Sequence, residues 1–195
     1  VFWKLLAGVN SAYVLAQRIV FSCLFCFAVI LIKKNGGELK NILRDKKQRR
    51  LYLACGLLIS ANWGVYILTV ATGRILEASL AYYMNPLFSI LIGALIFKER
   101  LSGVQWLSVA LAFVGVMYSV VLYGSVPYLA IIIGLTFALY GAIKKGIKAE
   151  SEVSICMETV SVLPLALIFI VYAQLSGFTT FASLSVKEML LLVLT

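Results

Sequence analysis

An all-α, multi-span membrane bundle is the fold class this sequence predicts, on three observations. Hydrophobic residues make up 63% of the 195 positions and charged residues 13%, where a soluble domain sits near half and a quarter. The mean hydropathy is +1.03, too apolar for polar side chains to cover a water-facing surface. The apolar residues also fall in blocks of the length that crosses a hydrocarbon core, about 20 residues. Such blocks lie at 11–32, 51–70, 79–97, 104–123, 128–143 and 153–173.

The first block carries Ser11, Arg18 and Ser22 at i, i+7 and i+11, one helix face. Cys23 and Cys26 form a C-x-x-C inside it, but no βαβ pattern surrounds the pair. With Cys55 and Cys156 isolated in other blocks, small buried thiols are the expectation. Residues 33–50 read as a basic loop with eight Lys and Arg. The second block shows Asn62, Tyr66 and Thr69 on one face, with Gly56, Ser60 and Gly64 spaced for close helix contact. The third shows Tyr82, Asn85 and Ser89 on one face, with Pro86 in mid-block. Pro86 has no amide hydrogen, so the carbonyl of Tyr82 loses its helical donor. The expectation is a broken helix beside Asn85, either a solute path or a packed kink.

A turn, Lys98-Glu99-Arg100-Leu101, separates this block from the next. Ser102 and Gln105 then fit a capping box, and Glu99 lies near the positive end of the same helix dipole. The fourth block ends at Gly124-Ser-Val-Pro127, taken as the boundary between two halves, 1–123 and 128–195. In the fifth, Gly134, Ala138 and Ala142 mark another close contact, and the expectation is a short span whose helix runs on into the lysines that follow. The sixth carries Ser154, Glu158 and Ser161 at i, i+4 and i+7. Ser185 and Glu188 fit a second capping box before a further apolar run. The chain opens without methionine and closes inside that run, so a piece of a longer protein is expected.

Charge placement orients these blocks. Thirteen of the seventeen Lys and Arg fall in the loops at 33–50, 98–100 and 144–148, which alternate along the chain. The positive-inside rule makes that side, with the 33–50 loop, cytoplasmic in a bacterial inner membrane. No aromatic residue interleaves the basic loop, which argues against nucleic acid and for anionic lipid heads. Histidine is absent, removing His-activated nucleophiles and His–Glu zinc motifs. No nucleophile–base pair or metal cluster stands out, so neither enzyme nor cofactor is expected.

Polar residues inside spans are expensive. Ser and Thr there commonly bond back to a carbonyl or pack at an interface, the bland reading for Ser22, Thr69, Ser89, Ser154 and Ser161. Arg18, Asn62, Tyr66, Tyr82, Asn85 and Glu158 form the candidate substrate pathway, with Pro86 as the helix break. Four stripes from four helices are expected to share one wet cavity.

Residues 62–87 (NWGVYILTVATGRILEASLAYYMNPL), followed by LIFKERLSGVQWLSVALAFVGV, carry a further signal. FWKLL, QRIVFS, YGSVP, LYGAIKK and ETVSVLPLAL join them. Together they resemble the RarD group of EamA-type transporters in the drug/metabolite transporter superfamily. That resemblance implies two inverted five-helix halves, this chain running from the end of the first helix to the start of the eighth. It also implies export of small metabolites or drugs, in a group linked with chloramphenicol susceptibility or resistance. One sequence feature supports inverted halves independently: Lys4 precedes Arg18, and Lys144 precedes Glu158, by fourteen residues. A shift of 140 residues also aligns Ser11 with Ser151. Arg18 would then lie near the outer face and Glu158 near the inner one, Glu158 offering a site for a coupling proton. The expected partners are a small solute and the bilayer. A non-transporting scaffold, or a membrane-embedded enzyme, is the alternative.

Overall fold

The computed structural model describes residues 6, 8–33, 36–98, 100–147, 149–177 and 185–193. Lys4, Glu99 and most of the FWKLL motif lie outside them. The described residues form eight α-helices and no strand: α1 (Ser11–Lys33), α2 (Gly36–Arg44), α3 (Lys46–Ala71), α4 (Ile75–Phe97), α5 (Gly103–Tyr123), α6 (Tyr128–Lys144), α7 (Ser151–Leu175) and α8 (Val186–Val193). Five of them, α1, α3, α4, α5 and α7, are long and apolar enough to cross a membrane, and α6 is a shorter apolar helix.

Local chemistry sets the helix ends. Asp45 caps α3, its carboxylate accepting from the backbone N–H of Lys47 at 2.8 Å and of Gln48 at 3.3 Å. Both expected capping boxes form. Ser102 N–H donates to Gln105 at 2.8 Å, and Ser185 N–H donates to Glu188 at 2.8 Å. Gly124 closes α5 at φ 78°, the left-handed conformation that glycine adopts without a Cβ penalty.

Two expectations need correction. The 33–50 segment is not simply a loop, because α2 forms within it and buries Ile42. Its apolar residues, Leu39, Ile42 and Leu43, recur at helical spacing. Nor is α4 broken, since helix runs unbroken through Pro86. A proline removes a single donor, and the flanking turns keep the helix in register.

The central helix is α3, which packs against α6 on one side and α7 on another. α4 lies mainly on α6, α1 on α7, and α5 mainly on α4. Glycines permit the closest approaches. A Cβ on Gly56 would stand 2.5 Å from the backbone oxygen of Glu158, and one on Gly134 2.5 Å from the ring of Phe88. Paired contacts fix the relative directions. Lys33 pairs with Glu152 at one end of α1–α7, and Gln174 donates to the Tyr13 hydroxyl at the other, so these helices are antiparallel. Glu77 accepts from Leu129 N–H at one end of α4–α6, and Lys145 lies over the Phe97 ring at the other, so these run parallel. Along the spans the outward faces are largely apolar; α5 buries only Val109 and Val116.

Candidate functional site: two cavities at the centre of the bundle

A cavity of about 370 Å³ opens where α1, α3, α4 and α6 meet. Five of the six pathway residues line it: Arg18, Asn62, Tyr66, Tyr82 and Asn85. Helical spacing brings them there, since Asn62 and Tyr66 are one turn apart on α3, as are Tyr82 and Asn85 on α4. Trp63, Ile133 and Phe137 supply apolar wall.

Each polar group in this cavity is held differently. The Arg18 guanidinium stands 4.0 Å from the centroid of the Trp63 ring, so an aromatic face steadies a cation at membrane depth. Tyr66 and Tyr82 meet edge to face, with centroids 5.7 Å apart. Asn62 is 6% exposed, and its amide nitrogen donates to the Ile133 carbonyl at 2.6 Å and to the Thr136 hydroxyl at 3.0 Å. That amide ties α3 to α6. Asn85 contrasts with it: its Oδ1 is buried and accepts no hydrogen bond among the described residues. The absent side chain of Gly134 leaves the room, for a Cβ there would stand 3.5 Å from that oxygen. A buried acceptor without a donor costs about 1–3 kcal/mol, which a water or a solute hydroxyl or N–H would recover.

Glu158 faces a second cavity of about 310 Å³, between α3, α6 and α7. Its carboxylate accepts from Lys144 Nζ at 2.8 Å, Tyr140 Oη at 3.0 Å and Ser154 Oγ at 3.2 Å. The buried charge is thus paired and hydrogen-bonded, as low-dielectric surroundings demand. Ser161 takes no part; it donates back to the Met157 carbonyl, as Thr69 does to Val65. Trp63 and Phe137 line both cavities and form the wall between them. The single shared cavity expected from the four stripes is therefore two, separated by aromatic rings.

Sequence reasoning missed several of these residues. Trp63 adjoins Asn62 yet reads as apolar filler. Lys144 reads as a loop cation, yet the fourteen-residue spacing from Glu158 that points to a repeat also sets an ion pair. Glu77, 2% exposed, has no role that the sequence pattern reveals. It binds the Leu129 N–H at 2.8 Å and the Tyr123 hydroxyl at 3.3 Å, with Arg74 at 3.6 Å, and so anchors the first turn of α6. The four cysteines are free and buried. No group of three or more His, Cys, Asp or Glu able to hold a metal occurs among the described residues.

Residues 1–121 match the model of the EamA-like transporter family. An uncharacterised transporter of Pseudomonas aeruginosa is 41% identical over 172 residues, covering 88% of this chain and 57% of the relative. The uncharacterised transporter YojE of Bacillus subtilis is 38% identical, over 88% of this chain and 59% of its own. Protein RarD of Streptomyces exfoliatus is 36% identical over 194 residues, covering 100% of this chain and 62% of the relative. The chain thus spans less than two thirds of the length of these relatives. No solved structure matches it.

Proposed function

This chain belongs to the EamA-like transporter family, and we propose that it forms the solute path of a secondary transporter, an exporter of small metabolites or drugs in the bacterial inner membrane. The convergence of Arg18 and the unpartnered oxygen of Asn85 on one membrane-depth cavity carries this reading. Arg18 receives an anionic group, Asn85 accepts from a hydroxyl or N–H on the same solute, and Tyr66 and Tyr82 flank its body. Only a polar solute answers all of these. The transporter names of the relatives support transport over catalysis.

Glu158 is the proposed coupling site, on the far side of the Trp63–Phe137 wall. Lys144 now enters that role: a proton or a cationic group reaching Glu158 must replace the lysine as its partner. The division into inverted halves, 1–123 and 128–195, is supported by two features. The α1 and α7 helices begin 140 residues apart, at Ser11 and Ser151, and they pack antiparallel.

Reconstituted full-length protein tests the reading. Across a panel of anionic and neutral metabolites and drugs, at least one solute should raise the thermal midpoint and cross vesicles. Arg18→Gln and Asn85→Ala should each cut its flux about tenfold or more, as expected when a solute loses a buried polar partner. Solute-independent vesicles and an unmoved midpoint throughout would favour the scaffold. Normal flux with a lowered midpoint in both variants would make Arg18 and Asn85 packing residues.

A further inference from the structure

The start of α3 carries a feature that neither transport nor topology requires. Lys46, Arg49, Arg50 and Leu53 fall at i, i+3, i+4 and i+7 and line a surface cavity of about 250 Å³. The same helix face continues outward as Leu57 and Leu68, 45% and 46% exposed. None of the three cations makes an ion pair with a carboxylate among the described residues. Of the two acidic side chains close by in sequence, Asp45 is engaged as the helix cap and Glu38 sits in the first turn of α2. Orienting a span needs positive charge somewhere in the loop. It does not need three cations on one face, around a cavity, at the head of an apolar stripe.

We propose that this corner binds one anionic phospholipid, its phosphate between Lys46, Arg49 and Arg50 and an acyl chain along Leu53 and Leu57. The order of the stripe matches the order of a lipid from head to tail. Charge complementarity selects phosphatidylglycerol-like headgroups over zwitterionic ones. The site is independent of the solute path, since it lies on the outward face of α3 while Asn62 and Tyr66 face the cavity.

Native mass spectrometry of the full-length protein from nanodiscs, with phosphatidylglycerol titrated into phosphatidylcholine, tests it. One phosphatidylglycerol should be retained preferentially. A triple variant (Lys46→Gln, Arg49→Gln, Arg50→Gln) should weaken retention roughly a hundredfold, at about fivefold per cation. The control, Lys40→Gln with Lys47→Gln, removes charge off the stripe and should weaken it far less. Leu53→Ser with Leu57→Ser should weaken lipid retention without touching the cations. Equal losses in triple variant and control would mean diffuse attraction and overturn the site. Full competition by inorganic phosphate at the lipid's own concentration would assign the site to a soluble anion and overturn the lipid. Should the triple variant fail to accumulate, Arg49→Gln and Arg50→Gln carry the test singly: each roughly fivefold weaker supports the site, and unchanged retention in both overturns it.

Discussion

Asn62 and Asn85 carry the same side chain into the same cavity and do different work there. Asn62 uses its amide on the Ile133 carbonyl and the Thr136 hydroxyl, so it is structural at least in part. Asn62→Ala should lower the thermal midpoint by an amount equivalent to about 1–3 kcal/mol, measured in detergent. Asn85→Ala removes an acceptor that nothing in the described chain satisfies, so the midpoint should hold or rise. A larger loss in Asn85→Ala than in Asn62→Ala would reverse these roles. Gly56 gives a sharper case, because its missing side chain admits the Glu158 backbone. Gly56→Val should destabilise by about 1–3 kcal/mol through overpacking, and the same assay reads it. For Glu158, Gln is nearly isosteric but takes the charge from a carboxylate that Lys144 pairs. Glu158→Gln in the full-length protein should abolish any pH dependence of flux while the protein still inserts. An unchanged pH response would leave Glu158 as a structural partner of Lys144, Tyr140 and Ser154.

Among the helices, the antiparallel α1–α7 pair is defined by contacts at both of its ends. Cysteines replacing Tyr13 and Gln174, in a background without the four native cysteines, should cross-link readily with a short bifunctional reagent. Cysteines at Tyr13 and Glu152 should not, because those positions lie at opposite ends of the pair. The reverse pattern would make α1 and α7 parallel and remove the structural support for inverted halves. The spans themselves were legible in the sequence because a bilayer demands length and apolarity, two properties that need no tertiary knowledge. Gly56 and Gly134 were legible for a similar reason, since small residues at regular spacing announce close approach. The partition of the polar stripes into two cavities was not. It depends on where the Trp63 and Phe137 rings stand, and side-chain placement of that kind is decided by packing between helices distant in sequence. The α2 helix was hidden by its charge, which dominates the composition of residues 33–50 although Leu39, Ile42 and Leu43 hold the period. Pro86 misled in the opposite sense, because a missing donor was read as a missing turn.

For the molecule as a whole, the distribution of lysine and arginine proposes an orientation with α2 and the start of α3 in the cytoplasm. Single cysteines at Gly37 and Ser125, both exposed, test it in the same cysteine-free background. In intact spheroplasts an impermeant maleimide should label Ser125→Cys and spare Gly37→Cys; the opposite result inverts the molecule. The α1–α7 pairing also has a consequence for biogenesis. The ribosome completes α1 long before α7 exists, since the two helices begin 140 residues apart. At ordinary elongation rates that interval is on the order of ten seconds. During it α1 sits at the insertion machinery with Arg18 and Gln17 in its span and its principal partner still unmade. Among the described helices that pack closely on α1, α3 is made first, and its Trp63 ring lies against the guanidinium. The tryptophan that walls the finished cavity is thus also placed to shelter that arginine in the nascent chain before α7 is made.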